Sequence, residues 1–117
     1  MIALMQIPRR FLRDRMTVEL PDPEADYAGE PRERREVLAV LYQGRSALGR
    51  TTWSLADGAS GRVYVDAVNS MGAFEPPVGA RVEISGPELP GTLAMEVKAC
   101  QAYCGLRGVH HWEVDVG

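Results

Sequence analysis

The sequence predicts an all-β protein, a small antiparallel barrel or sandwich with a long hairpin loop and a short N-terminal arm or helix. Three observations carry this prediction. The hydrophobic period after residue 16 is two, Gly- and Pro-rich breaks separate six apolar stretches, and no amphipathic helix follows residue 20. A chain of 117 residues has the size of one domain with its own core, so we expect a single domain over residues 1–117.

The first fifteen residues form a basic, partly apolar arm that precedes the barrel predicted for residues 16–117. The arm holds four arginines and a single acid, Asp14. Residues 9–15 suit a helical turn or two, and Pro8 suits its start. Four side chains of the arm are candidates for contact with a neighbouring subunit or partner: Arg9, Arg10, Phe11 and Arg13.

The first two strands differ in pattern. Residues 16–20 alternate, so that Met16, Val18 and Leu20 share one face. Residues 21–35 are rich in Pro, Asp, Glu and Arg and predict an exposed loop. Residues 36–42 are apolar on both faces, as is typical of a central strand.

Four further strands are expected at residues 62–66, 80–84, 93–99 and 111–116. Alternation gives each strand one core face and one solvated face. In the fifth strand this places Val97 and Ala99 on the same side, and in the sixth it directs Trp112, Val114 and Val116 inward.

A long polar break separates the second and third strands, and we expect a projecting loop over about residues 43–61. The Asp57-Gly58 pair suits a tight turn. An exposed Trp53 in this loop would favour contact with a neighbour, whereas a buried Trp53 would indicate an ordinary hairpin tip.

Composition excludes several classes. Hydrophobic residues make up 45% and charged residues 25% of the chain, which is typical of a globular protein. A net charge of −3 argues against a domain that binds nucleic acid mainly through its phosphates. No apolar run approaches the roughly 20 residues of a membrane span, so we expect a soluble chain without an export signal.

The side chains that could bind a metal ion lie near the C-terminus. Cys100, Cys104, His110 and His111 are ligand types that zinc accepts. In an extended strand the two cysteines stand about 13 Å apart, and the two histidines face opposite sides. We therefore expect reduced thiols, no metal and no cofactor. Without a nucleophile elbow or a phosphate-binding loop, the chain is not expected to be an enzyme.

One alternative arises from the arginine clusters. Arg9 with Arg13, and the cluster at residues 32–35, resemble the Arg-x-x-x-Arg element of PilZ-type barrels, which hold a cyclic dinucleotide. The Asp-x-Ser-x-x-Gly turn of that family is not reproduced, because alignment on Gly72 leaves Ala67 and Asn69 at the Asp and Ser positions.

The order of motifs resembles that of head-closure, or head-to-tail stopper, proteins of tailed bacteriophages. The chain has the basic opening Pro-Arg-Arg-Phe-Leu-Arg-Asp-Arg-Met-Thr-Val-Glu and, later, a Pro-Pro-Val-Gly-Ala-Arg-Val-Glu-Ile turn and strand. The similarity covers nearly the whole chain, at residues 8–19, 27–31, 37–42, 63–66, 76–84 and 111–116.

This resemblance implies a structural virion protein without catalysis. Six or twelve copies would form a ring in the neck of the virion, between the portal or its adaptor and the tail terminator. The ring would retain packaged double-stranded DNA and let it pass during genome ejection, with only transient contact. The chain would be made in the cytoplasm of the bacterial host. Expected channel-lining residues are Arg50, Asp57 and Arg62.

Overall fold

The computed structural model describes residues 5–21, 31–45 and 55–117, and of Pro31 and Arg32 it describes the backbone. One 3₁₀ turn, Arg9–Phe11, precedes the sheet. The strands are β1 Asp14–Pro21, β2 Pro31–Gly44, β3 Gly61–Asp66, β4 Arg81–Ser85, β5 Leu93–Gly105 and β6 Gly108–Val116.

All six strands pair antiparallel and close into one barrel in the order β1-β2-β3-β6-β5-β4. Two three-strand meanders, β1 to β3 and β4 to β6, are joined along β1–β4 and β3–β6. The predicted small antiparallel barrel is confirmed. No helix among the described residues is long and apolar enough to cross a membrane.

The interior is filled with mostly β-branched side chains, which pack well on a pleated surface. Ala73 and Phe74, from the connection between β3 and β4, pack against this core. Twelve buried residues form the core: Met16, Val18, Val37, Val40, Val63, Val65, Ala80, Val82, Ile84, Val97, Val114 and Val116.

β2 reaches the core through a β-bulge. Asp14 pairs with Val40 and Arg15 pairs with Leu38, so Ala39 is an extra residue on β2. Ala39 has φ 60°, in the left-handed region that a residue with a Cβ adopts at a cost. Because of the bulge, the buried residues Val37 and Val40 are three positions apart, and the both-faces-apolar pattern of this strand does not mean that both faces are buried.

A second bulge changes the face of β5. Val97 pairs with Val116 and Ala99 pairs with Asp115, so Lys98 is the extra residue. The prediction that Ala99 shares the inward face of Val97 is therefore wrong. Beyond the bulge it is Cys100 that packs against the core.

The strands extend beyond their predicted bounds. β2 begins at Pro31, so residues 31–35 belong to a strand paired with β1 and not to the predicted loop. β1 begins at Asp14, which moves Asp14 and Arg15 from the arm into the barrel. In this charged segment Arg34 pairs directly across from Glu19, and its guanidinium lies 3.2 Å from the Glu19 carboxylate, a favourable cross-strand contact.

Two methionines provide a matched test of the core. Met16→Ala removes a fully buried side chain and is expected to lower the free energy of unfolding by about 2–5 kcal/mol. Met71→Ala removes a side chain that is 60% exposed and is expected to change it by less than about 0.5 kcal/mol. Urea unfolding of both variants measures the difference, and equal losses would contradict the described core.

Candidate functional site: the docked N-terminal arm

The arm, here residues 5–13, is tied to the end of β3 by one buried carboxylate. Asp66 is fully buried, and its oxygens accept hydrogen bonds from the Gln6 side chain at 3.0 and 3.1 Å and from the Ile7 amide at 2.9 Å. The same carboxylate accepts the amides of Val68 at 3.0 Å and Asn69 at 2.8 Å. Asp66 therefore closes the turn after β3 and docks the arm at the same time.

These donors decide the charge of Asp66. Burial acts to raise the pKa of its carboxyl, but the hydrogen bonds from Asn69, Ile7, Gln6 and Val68 outweigh it and hold the pKa below the ordinary value of 3.8. The group is therefore an ionised carboxylate near neutral pH, held by neutral donors without a direct ion pair among the described residues.

Further hydrogen bonds hold the first residues of the arm. The Asn69 side chain donates to the Ile7 carbonyl at 2.8 Å, and Gln6 Nε2 donates to the His110 carbonyl at 3.0 Å. His110 Nε2 lies 2.7 Å from the Met5 carbonyl. Leu12, only 4% exposed, anchors the other end of the arm. The arm is thus bound to the barrel through its backbone and its Gln6 side chain.

The four predicted interface residues of the arm are exposed to solvent. The helical turn expected here is a single 3₁₀ turn, Arg9–Phe11. Arg9 and Arg10 are exposed and form no ion pair with a described residue, while Phe11 is 48% exposed with the Arg10 guanidinium 4.8 Å from its ring centre. Arg13 is bound at 2.8 Å to Glu88, an exposed pair of small energetic value.

A shallow groove runs beside the arm. It has a volume of about 510 Å³ and lies between the arm and strands β1, β2 and β4. Its lining includes Leu12, Arg13, Arg15, Leu38 and Pro87. The groove is open to solvent, so it suits a polypeptide segment better than a small molecule, which prefers an enclosed cavity.

The two histidines do not face opposite sides, and that prediction is wrong. Tyr103 pairs with His111 and Cys104 pairs with Val109, so His110 is an extra residue on β6. This bulge brings His110 Nδ1 within 2.8 Å of His111 Nδ1. His111 Nε2 lies 3.0 Å from the Glu113 carboxylate, and its ring stacks on Tyr103.

Arg62, expected to line a channel, lies in the barrel wall. Its side chain is 13% exposed, with Nε 2.7 Å from the Asp115 carboxylate and Nη1 3.2 Å from Glu113. The hydrogen bond to Asp115 holds the pKa of Arg62 above its usual range. The guanidinium is bound within this chain, so we do not propose Arg62 as a channel-lining residue.

Both ends of the predicted projecting loop belong to the barrel. Residues 43 and 44 complete β2, and the amide of Ala56 donates to Asp115 while Arg45 donates to the carbonyl of Ala59. The turn predicted at Asp57-Gly58 is confirmed, with Gly58 at φ 81° and Asp57 exposed. Arg50 and Trp53 lie outside the described residues, as does the rest of 46–54.

The cysteines are both free. Cys104 is exposed, whereas burial, helped by the charges of Glu75 and Asp115, raises the pKa of Cys100 to about 11. Across residues 5–21, 31–45 and 55–117, no group of three or more His, Cys, Asp or Glu side chains is placed to hold a metal ion.

Sequence reasoning did not single out Asp66, Gln6 or Asn69. A local sign was present, because an Asp followed by Asn and Ser just after a strand is typical of a side-chain-capped turn. Nothing in the sequence indicates that Gln6, sixty residues away, shares that cap.

Comparison with known proteins does not identify a relative: no family model, curated protein or solved structure matches this chain.

Asp66→Asn tests the docking carboxylate. The amide cannot accept all the hydrogen bonds of the carboxylate, so we expect a loss of about 1–3 kcal/mol in the free energy of unfolding near neutral pH. Asp57→Asn, at the exposed turn, is the matched control and is expected to be neutral.

The pH dependence of Asp66 has a defined sign. Because the folded pKa lies below 3.8, the stabilisation is complete above that value and is lost as the pH falls through the folded pKa. Unfolding followed from pH 6 to pH 2 should show a larger acid loss of stability in the wild type than in Asp66→Asn. Parallel acid profiles would contradict this assignment.

Cysteine labelling provides a further prediction. At pH 8 Cys104 should react rapidly with iodoacetamide and Cys100 on the order of 100-fold more slowly, since the thiolate is the reactive form. Cys104→Ser should remove the fast phase and Cys100→Ser should retain it. The reverse pattern would show that Cys100 is not held as described.

Proposed function

We propose that this chain is a non-catalytic, ring-forming structural protein of the tailed-phage neck, a head-to-tail stopper. The observation that carries the proposal is the arrangement of the arm: its backbone is bound to the barrel, while Arg9, Arg10 and Phe11 remain exposed. Such a segment suits contact with a neighbouring subunit, because aromatic and arginine side chains are enriched at interfaces.

The closed barrel supports the same proposal. Its interior is occupied by core side chains, and the groove beside the arm is open to solvent. A closed sheet offers few edges for strand addition, so copies would meet through the arm and surface patches. A head-to-tail contact of this kind closes into a ring when the rotation between subunits is right.

The charge distribution fits a ring around DNA. Residues 1–50 carry nine basic and eight acidic groups, net +1, whereas residues 51–117 carry four and eight, net −4. Carboxylates on a channel wall repel phosphates and keep the duplex from adhering. Exposed acids from the second part of the chain are Asp57, Glu75, Glu83, Glu88 and Glu96.

The first test is the number of copies per particle. Quantitative mass spectrometry of purified particles, calibrated against the capsid protein, should give a value near six or twelve. Absence from particles would overturn the proposal. Saturable calorimetric binding of a cyclic dinucleotide by the purified chain would instead support the regulatory PilZ-like alternative.

The second test reverses the charge of the arm. Arg9→Glu with Arg10→Glu should lower incorporation into particles by roughly tenfold or more, equivalent to about 1.4 kcal/mol of contact energy. Arg107→Glu, an exposed arginine in the β5–β6 turn, is the matched control and should incorporate normally. Both variants should unfold like the wild type. Normal incorporation of the double variant would remove the arm from the interface.

A further inference from the structure

A chain of hydrogen bonds leads from the arm into the barrel wall. The Met5 carbonyl lies 2.7 Å from His110 Nε2, the two Nδ1 atoms are 2.8 Å apart, and His111 Nε2 is 3.0 Å from Glu113. Both ends of this chain are acceptors, because a carbonyl and a carboxylate offer lone pairs and no hydrogen.

The hydrogens that this series of hydrogen bonds requires can be counted. The Met5 carbonyl requires a hydrogen on His110 Nε2, and the ionised Glu113 requires one on His111 Nε2. A neutral imidazole carries a single N–H, so both Nδ1 atoms would then be bare acceptors facing each other. One additional proton between them satisfies every bond. Placing that proton on Glu113 instead leaves the count unchanged.

The surroundings favour the added positive charge. The Glu113 carboxylate is hydrogen-bonded to His111. The Asp66 carboxylate is connected to His110 by one side chain, because Gln6 Nε2 donates both to Asp66 and to the His110 carbonyl. From β3, the Arg62 guanidinium contacts both Glu113 and Asp115, and Tyr64 is the cross-strand partner of Glu113. Three carboxylates thus stand against one guanidinium. From β5, the facing groups are the Tyr103 ring and the exposed Cys104.

We propose that docking of Met5 onto the barrel is coupled to one proton bound by His110, His111 and Glu113, so that the contact is held at acidic pH and released as the pH rises. At a pH where the imidazoles of the released state are neutral, the docked state binds one proton more than the released state, which sets the sign. Histidine pairs are suited to such a switch because an imidazole changes charge between about pH 5 and 8.

The contact that fails on deprotonation is that of Met5. Glu113 is held by Arg62 and keeps its hydrogen bond from His111 Nε2. His110 then donates from Nδ1 to His111, and its Nε2 lone pair opposes the Met5 carbonyl. Met5 is 86% exposed, so water replaces the lost partner at once. Gln6 and Ile7 stay bound to Asp66, which is ionised throughout this range.

The experiment follows the hydrogen bond itself in the full chain without a histidine tag. The ¹³C shift of the Met5 carbonyl and the ¹⁵N shifts of both imidazole rings are recorded by NMR between pH 5 and 8.5. We expect one shared transition, with the docking equilibrium falling about two- to tenfold, the range for one hydrogen bond.

Two variants separate proton coupling from simple packing. In Glu113→Gln the side-chain amide donates to His111 Nε2, so neutral rings satisfy every bond and Met5 should stay docked to pH 8.5. His111→Phe keeps a ring against Tyr103 but removes the opposing Nδ1, and it should also dock without pH dependence. His110→Phe is the control, in which the Met5 carbonyl should show the ¹³C shift of the undocked state at every pH.

Two outcomes overturn the inference: a wild-type Met5 shift without a transition, or a transition that persists in both Glu113→Gln and His111→Phe. These measurements use the purified chain and do not rest on the proposed ring, which the copy number in particles tests separately.

Discussion

The carboxylate of Asp66 is the interaction on which the arrangement of this protein depends. It is fully buried, and neutral donors from the arm and from the turn after β3 hold its charge. Ser70, in the same turn, donates to the carbonyl of Ala39 and accepts from the Asp66 amide. The carboxylate thereby links the arm to the β3–β4 connection, while the Asp66 amide, through Ser70, links the same turn to the β2 bulge. The loss of any one donor to the carboxylate leaves a buried charge less compensated.

The β-bulges determine which side chains are buried and which ones meet. The bulge at Ala39 lets Val37 and Val40 enter one core, and the bulge at Lys98 turns Cys100 toward that core and makes its thiol hard to ionise. The bulge at His110 has the opposite effect, because it gathers two imidazoles on one side of β6. Each insertion of one residue changes the face of everything beyond it.

Two groups of charged residues have different roles. Arg62, Glu113 and Asp115 are mostly buried and bound to one another, so they belong to the architecture of the wall. Arg9 and Arg10 are exposed and have no acidic partner among the described residues. This division is the reason for proposing that the arm meets a neighbour and the wall does not. It also places the histidine pair between the two groups, where a proton can influence the arm.

The sequence alone determined the fold class. The period of two, the six apolar stretches and the turn at Asp57-Gly58 are local properties, and each strand centre was predictable from them. The arm's basic character and its short helical turn were equally local. Only the tertiary structure decided which residues meet: the cap shared by Asp66 and Gln6, the burial of Arg62 and the contact between His110 and His111. The physical reason is that a bulge and a long-range hydrogen bond are set by the partner strand, whose register a single strand's own residues do not specify.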